Sequence, residues 1–567
     1  GQDGENGFNG EDGEDGVGIA GITYRYEYDA ESGVFYTVIV FTMTDDTTYE
    51  VKVPTSAADP DATYEATTTA AAVDLYRNGA KNVELTADSY DAATGEELEA
   101  LLYFGAGNVS LTADVATENQ LVVPKGETVT LSLDGHNLTG SNAGALIVNY
   151  GTMTIEGDEN SCVYSTEISA QGRHAVVNYG TMTIAGGRYG DNNTDDADAN
   201  SANRGNAVRN YGIMTIEGGY FTVCDNYTEG GYAYAIANGS SAYPNAEMII
   251  NDATVYGSIN GLVAADGGTL TVNGGTYTLG DGTETNLWRV AYTSGNGTII
   301  LNDGTFTRNV NNDYAFFGAY DTGSIVVNGG TYTDLVHDDI YVDGDAPTII
   351  NGGTFDGKIR GAQAQYNAGT AEELATAFAL INGGTVKLEE NIPVDPQGGI
   401  MPILYAQFTI RNNMTLDLNG KTLSVGYQEG DSYPYSPVLL SIDGVKVTIE
   451  GDGVVDAEAG MNNSYGIDII NGGELTINSG TFYGATTAVQ VTKGKLIVND
   501  GSFFLAKTIS EEAPHFAKYI VNCIDASFKN GTAVIELYGG TYGYDFSLKP
   551  EGGDSSYIAE GCMVTAK

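Results

Sequence analysis

Apolar residues alternate with polar ones in short runs, and each run closes on an asparagine, two small residues, a threonine or serine and an aromatic ring. Clear copies are Leu270-Thr-Val-Asn-Gly-Gly-Thr-Tyr277, Ile299-Ile-Leu-Asn-Asp-Gly-Thr-Phe306, Ile325-Val-Val-Asn-Gly-Gly-Thr-Tyr332, Thr348-Ile-Ile-Asn-Gly-Gly-Thr-Phe355, Leu475-Thr-Ile-Asn-Ser-Gly-Thr-Phe482 and Leu496-Ile-Val-Asn-Asp-Gly-Ser-Phe503. A period of two marks strands. The aromatic rings at 277, 306, 332 and 355 are 29, 26 and 23 residues apart. A period in the twenties without helical patterning is one coil of a solenoid. The chain is therefore expected to be all-β, a right-handed parallel β-helix in which equivalent residues stack about 4.8 Å apart. Asn273, Asn302, Asn328 and Asn351 then form an amide ladder at one corner, beside glycines that permit a left-handed turn.

The pattern starts twice. Thr94-Gly-Glu-Glu97 and Thr370-Ala-Glu-Glu373 are helix capping boxes, each leading into a short apolar helix and then a strand. Such a helix suits the open end of a β-helix, where it covers an exposed edge. Two tandem modules follow, 94–366 and 367–567, with 55–93 as a linker or degenerate cap. Upstream, the alternation of Tyr24, Tyr26 and Tyr28, the run Val34 to Met43, and Tyr49, Val51 and Val53 predict a three-stranded meander over 22–54. Residues 1–21 open with glycine at 1, 4, 7, 10, 13 and 16, the period of a collagen triple helix. They hold no proline and six acids, which favours a flexible tether over a trimeric stalk.

Composition narrows the function. Against 24 Lys and Arg stand 75 Asp and Glu, a net charge of -51, which disfavours nucleic acids and anionic membranes. The four cysteines are far apart and spell no metal or disulfide framework. No apolar run reaches the length of a membrane span, and the opening at Gly1 rather than Met suggests a removed signal peptide and an exported protein.

The tandem Asn-Gly-Gly-Thr-Phe/Tyr units, with Gly-Gly-Thr-Val-Lys-Leu at 383–388 and Leu-Asp-Leu-Asn-Gly-Lys-Thr-Leu at 416–423, resemble the pectate-lyase-like β-helix superfamily and, within it, adhesin-like proteins of bacterial cell surfaces. The acidic, glycine-rich opening followed by a tyrosine-rich meander resembles the start of surface lipoproteins. That resemblance implies a lipid anchor upstream of Gly1, an outer-surface location and glycans, cell surfaces or other surface proteins as partners. Two alternatives remain open: a trimeric phage tail fibre or spike on a virion, and a polysaccharide lyase or glycoside hydrolase.

Catalytic signals are weak. The superfamily's Gly-His-Gly and Arg-Ile-Lys motifs are absent, and His136, His174, His337 and His515 are scattered without a paired carboxylate motif nearby. No catalytic residue and no obligatory cofactor is expected. Asp191, Asp195, Asp196 and Asp198 are dense enough in one loop to offer calcium its oxygen ligands, although a solvated insertion has the same composition. For binding, the candidates are Tyr150, Tyr179 and Tyr211, each in an Asn-Tyr-Gly triplet one coil from the next. In register they form an aromatic strip suited to sugar faces, or a self-stacking ladder that stiffens a corner.

Overall fold

The computed structural model describes residues 19–29, 34–44, 47–55, 62–141, 144–165, 174–190, 207–222, 234–257, 263–280, 289–311, 313–394, 406–425, 438–457, 465–484, 487–505, 519–543, 557–563 and 565. It is an all-β parallel β-helix solenoid with a few short helices. The chain divides into two compact units, Gly1–Tyr220 and Phe221–Lys567.

In the first unit each coil contributes a strand to up to three parallel faces. The first face stacks Tyr90–Ala92, Gly107–Leu111, Thr128–Ser132, Thr152–Glu156, Thr181–Ile184 and Ile213–Ile216. A second face runs from Val115–Thr117 to Arg188–Tyr189, and a third from Leu121–Val123 to Val208–Asn210. Period-two alternation is what fills the core. Met153, Met182 and Met214 pair in register, as do Ile155, Ile184 and Ile216, and all six are buried. Each such side chain contributes about 1.5–3 kcal/mol by leaving water.

Among the described residues the second unit carries twelve strands on its first face, from Glu247–Ile250 to Ala533–Leu537. The aromatic residue of each repeat points inward, and Tyr277, Phe306, Tyr332 and Phe355 stack with centroids 4.6, 5.0 and 4.9 Å apart. Tyr277 and Tyr332 donate their hydroxyls to the carbonyls of Gly274 and Gly329, which explains how tyrosine alternates with phenylalanine at a buried position. The expected amide ladder is there: Asn302 donates to Asn273, Asn328 to Asn302 and Asn351 to Asn328, each at 2.8 Å. Beside it Gly330 turns the chain at φ 92°, a conformation that side chains resist.

Both capping boxes form. Thr94 caps helix Gly95–Tyr103 and Thr370 caps helix Ala371–Leu380, with Glu97 and Glu373 bonding back in each case. A third helix, Thr69–Arg77, is capped by Thr68 inside the segment expected to be a linker or degenerate cap. All three follow the same spelling, Tyr64-x-Ala-x-Thr68, Tyr90-x-Ala-x-Thr94 and Tyr366-x-Ala-x-Thr370, with the tyrosine buried in a strand and the threonine capping the helix. Helix Ala371–Leu380 stands where a second-face strand would lie. The first-face ladder continues past it, through Ala364–Ala368 and Thr385–Leu388, while the ladders of the other two faces end and restart. The sequence boundary at 366 is thus visible on two faces and absent from the third.

Upstream, Ile19–Asp29, Val34–Met43 and Thr48–Thr55 form the three-stranded antiparallel meander.

Candidate functional site

The Asn-Tyr-Gly triplets occupy the corner between the third and first faces. Strand pairing puts Asn149, Asn178 and Asn210 in one column. Their amides turn inward, fully buried, and Asn149 Nδ2 donates to Asn178 Oδ1 and Asn178 Nδ2 to Asn210 Oδ1, each at 2.7 Å. The glycines are dictated by crowding: a Cβ on Gly180 would sit 2.1 Å from the Gly151 carbonyl oxygen. With asparagine inside and glycine against the coil beneath, only the tyrosine can face out.

The three rings stack with centroids 5.0 Å apart at each step and interplanar angles of 8° and 23°. Tyr179 and Tyr211 pack on Ala145, Val148 and Val177, and the Arg209 guanidinium lies 5.1 Å from the Tyr211 centroid. Stacking at this angle spends the ring faces on one another. What the strip presents outward is a row of ring edges, with Tyr150 the most open at 47% exposure.

A second cluster, which the sequence reading missed, lies on the third face of the second unit. Arg289, two residues before strand Ala291–Ser294, is nearly buried. Its Nε and Nη2 donate to Asp343 Oδ1 and Oδ2 at 3.1 and 2.8 Å, and Nη2 also donates to the Tyr320 hydroxyl. The side chain crosses an intervening coil at Gly318, where a Cβ would meet Arg289 Cδ and Nε at 2.4 Å. Rings of Tyr292, Tyr314 and Tyr320 surround the guanidinium at 5.9, 5.8 and 4.8 Å. Tyr292 stacks on Tyr234 at 6.3 Å and 12° but meets Tyr320 at 42°, and Tyr314 is 45% exposed. Burial works against the Arg289 charge, but the hydrogen-bonded Asp343 outweighs it and raises its pKa. Burial and the same carboxylate push the Tyr320 hydroxyl up. The guanidinium is thus held charged among aromatic rings, able to offer hydrogen bonds beside ring faces.

A third cluster corrects the expectation that the histidines lack a carboxylate. His337 Nδ1 is 3.2 Å from Asp334 Oδ1, and His136 Nδ1 is 3.6 Å from Asp114. Asp334 is buried, accepts from Arg308 Nη1 at 2.8 Å, and also takes the backbone N–H groups of Val336 and His337. Its charge is already met by Arg308 within the stack, since Arg308 and Asp334 pair in register at the position Leu279 fills one coil earlier.

Asp191, Asp195, Asp196 and Asp198 lie outside the described residues. Among the described residues, no group of three or more His, Cys, Asp or Glu side chains could hold a metal ion. No helix among them is long and apolar enough to cross a membrane.

No family model, curated protein or solved structure matches the chain.

Proposed function

We propose that the chain is a surface-exposed, extracellular binding protein whose β-helix recognises glycans, and that it works by binding rather than by catalysis. The supporting observation is the Arg289–Asp343 pair among Tyr292, Tyr314 and Tyr320. Sugars are held by C–H groups lying on open aromatic faces and by hydroxyls bridging a carboxylate and a guanidinium. The cluster offers both, on and beside the strands of the third face, with its net charge cancelled, which favours a neutral polysaccharide over an acidic one. Asp334, by contrast, is committed to Arg308, which speaks against His337 as part of an acid–base pair.

The resemblance to adhesin-like surface proteins points the same way, and a lipid anchor upstream of Gly1 remains part of this proposal. Affinity electrophoresis of the intact chain in gels of neutral polysaccharides tests it. Retardation is expected, reduced about tenfold in affinity by Tyr314→Ala and by Gly318→Ala, which displaces Arg289, and unchanged by Tyr179→Ala. Retardation that is absent on every neutral polymer, or equal for wild type and Tyr314→Ala, removes this reading.

A further inference from the structure

The third face of the second unit continues past the Arg289 cluster. Strands Ala291–Ser294, Phe317–Ala319, Asp339–Gly344, Lys358–Arg360 and Ile381–Asn382 follow one another in its ladder. Ile340, Val342, Ile359 and Ile381 turn into the core, so alternation puts Tyr341, Asp343, Arg360 and Asn382 on the outer side. Register then draws a stepped line across the coils. Tyr292 pairs with Gly318 and Gly318 with Asp343; two residues back on the same strand, Tyr341 pairs with Arg360 and Arg360 with Asn382. At about 4.8 Å per strand, the line from Tyr292 to Asn382 spans about 19 Å.

The far half of this line repeats the chemistry of the near half. The Arg360 guanidinium lies 4.6 Å from the centroid of the Tyr341 ring, and its Nε is 3.7 Å from Asp339 Oδ2. An arginine is again held between an aromatic face and a carboxylate, with the charge cancelled. This one is open: the side chains of Arg360 and Asp339 are 53% and 31% exposed. Among the described residues, the Arg360 guanidinium, the Tyr341 hydroxyl and the Asn382 side-chain amide form no hydrogen bond. Polar groups held in place on strands but not spent on one another are what the hydroxyls of a sugar require. We infer that Tyr341, Arg360, Asp339 and Asn382 form a second subsite, so that the third face holds several consecutive units of an extended neutral glycan rather than a single sugar. This rests on the glycan reading of the Arg289 cluster and adds the size and direction of the ligand, which follows the stepped line across the coils.

Affinity electrophoresis in laminarin, galactomannan and xyloglucan gels selects a polymer, and calorimetric titration of the intact chain with that polymer's oligosaccharides, from the disaccharide upward, reads the subsite. Affinity is expected to climb about tenfold or more with oligosaccharide length before levelling. Arg360→Ala lowers affinity for the polymer and the long oligosaccharides about tenfold and leaves the disaccharide unchanged, whereas Tyr314→Ala weakens every length. Tyr341→Phe, which removes only a hydroxyl, acts in the same sense as Arg360→Ala, and an unchanged melting temperature in both variants shows that the fold is intact. Affinity that is the same for the disaccharide and the polymer, or polymer affinity lowered by Tyr314→Ala and untouched by Arg360→Ala and Tyr341→Phe, overturns the second subsite while the glycan reading stands. Absence of retardation of the wild-type chain in all three gels and in gels of other neutral polymers removes both.

Discussion

At the corner between the third and first faces of the first unit, Asn149, Asn178 and Asn210 are sealed from water, while their tyrosine neighbours stack outside. At the corner between the first and second faces of the second unit the arrangement is inverted. Asn251, Asn273, Asn302, Asn328 and Asn351 run along the exposed surface, and Tyr277, Phe306, Tyr332 and Phe355 stack within. Both corners use the same amide-to-amide step of 2.7–2.9 Å. The lesson is that a ladder's worth depends on which side of the wall it lies. Inside, each lost bond leaves an orphan that water cannot reach. Outside, water replaces it.

That contrast can be broken in order of effect. Phe306→Ala removes the middle of the interior stack and should cost about 3–5 kcal/mol, read from the denaturant midpoint of the second unit's transition. Asn178→Ala should cost about 2–4 kcal/mol, since it strips partners from Asn149, Gly180 and Ile213 at once. If Asn302→Ala on the exposed ladder cost as much, burial would not be what separates the two corners; below about 1 kcal/mol is expected. Tyr179→Ala should lose about 1 kcal/mol of stacking, measured by hydrogen exchange at the corner amides, without altering glycan retardation.

A smaller effect concerns charge. Asp468, on the third face beside Thr492, has its pKa raised by burial, although the Thr492 hydroxyl bonded at 2.8 Å opposes this. A carboxyl whose folded pKa is raised favours the fold while protonated. Its destabilising effect grows as pH climbs through the unfolded value near 3.9 toward the folded one and then stays constant. Asp468→Asn should therefore melt higher than wild type at pH 7 and no higher at pH 3. Equal melting temperatures at pH 7 would show that the site is well solvated.

Much of the fold was legible because a solenoid writes one structural rule many times. Asn302 needed no distant partner to be placed, since Asn273 and Asn328 say the same thing one coil away. The two complete capping boxes were readable for a similar reason: Thr94 and Glu97, or Thr370 and Glu373, decide a helix start within four residues. The Tyr-x-Ala-x-Thr spelling before the three threonine-capped helices was equally present, and becomes meaningful once Tyr64, Tyr90 and Tyr366 are seen buried in strands. His337 and Asp334 are only three residues apart, so that contact too lay within local reach.

The candidate binding cluster is another matter. Alternation, glycine turns and repeat length are enough to determine strands, coils and the inward columns, because burying one apolar stripe per face leaves a single register. Arg289 and Asp343 are 54 residues apart, and what joins them is the absence of a side chain at Gly318 in the coil between. Outward columns need not repeat, and the links from the second to the third face differ in length, as between Leu279 and Ala291 or Asp334 and Asp339. Which outward residues meet is therefore decided by how the coils stack. The same holds for the meander: its alternation announced a sheet, and only the folded register revealed that Ile22, Tyr24, Tyr49 and Val51 share one side of it.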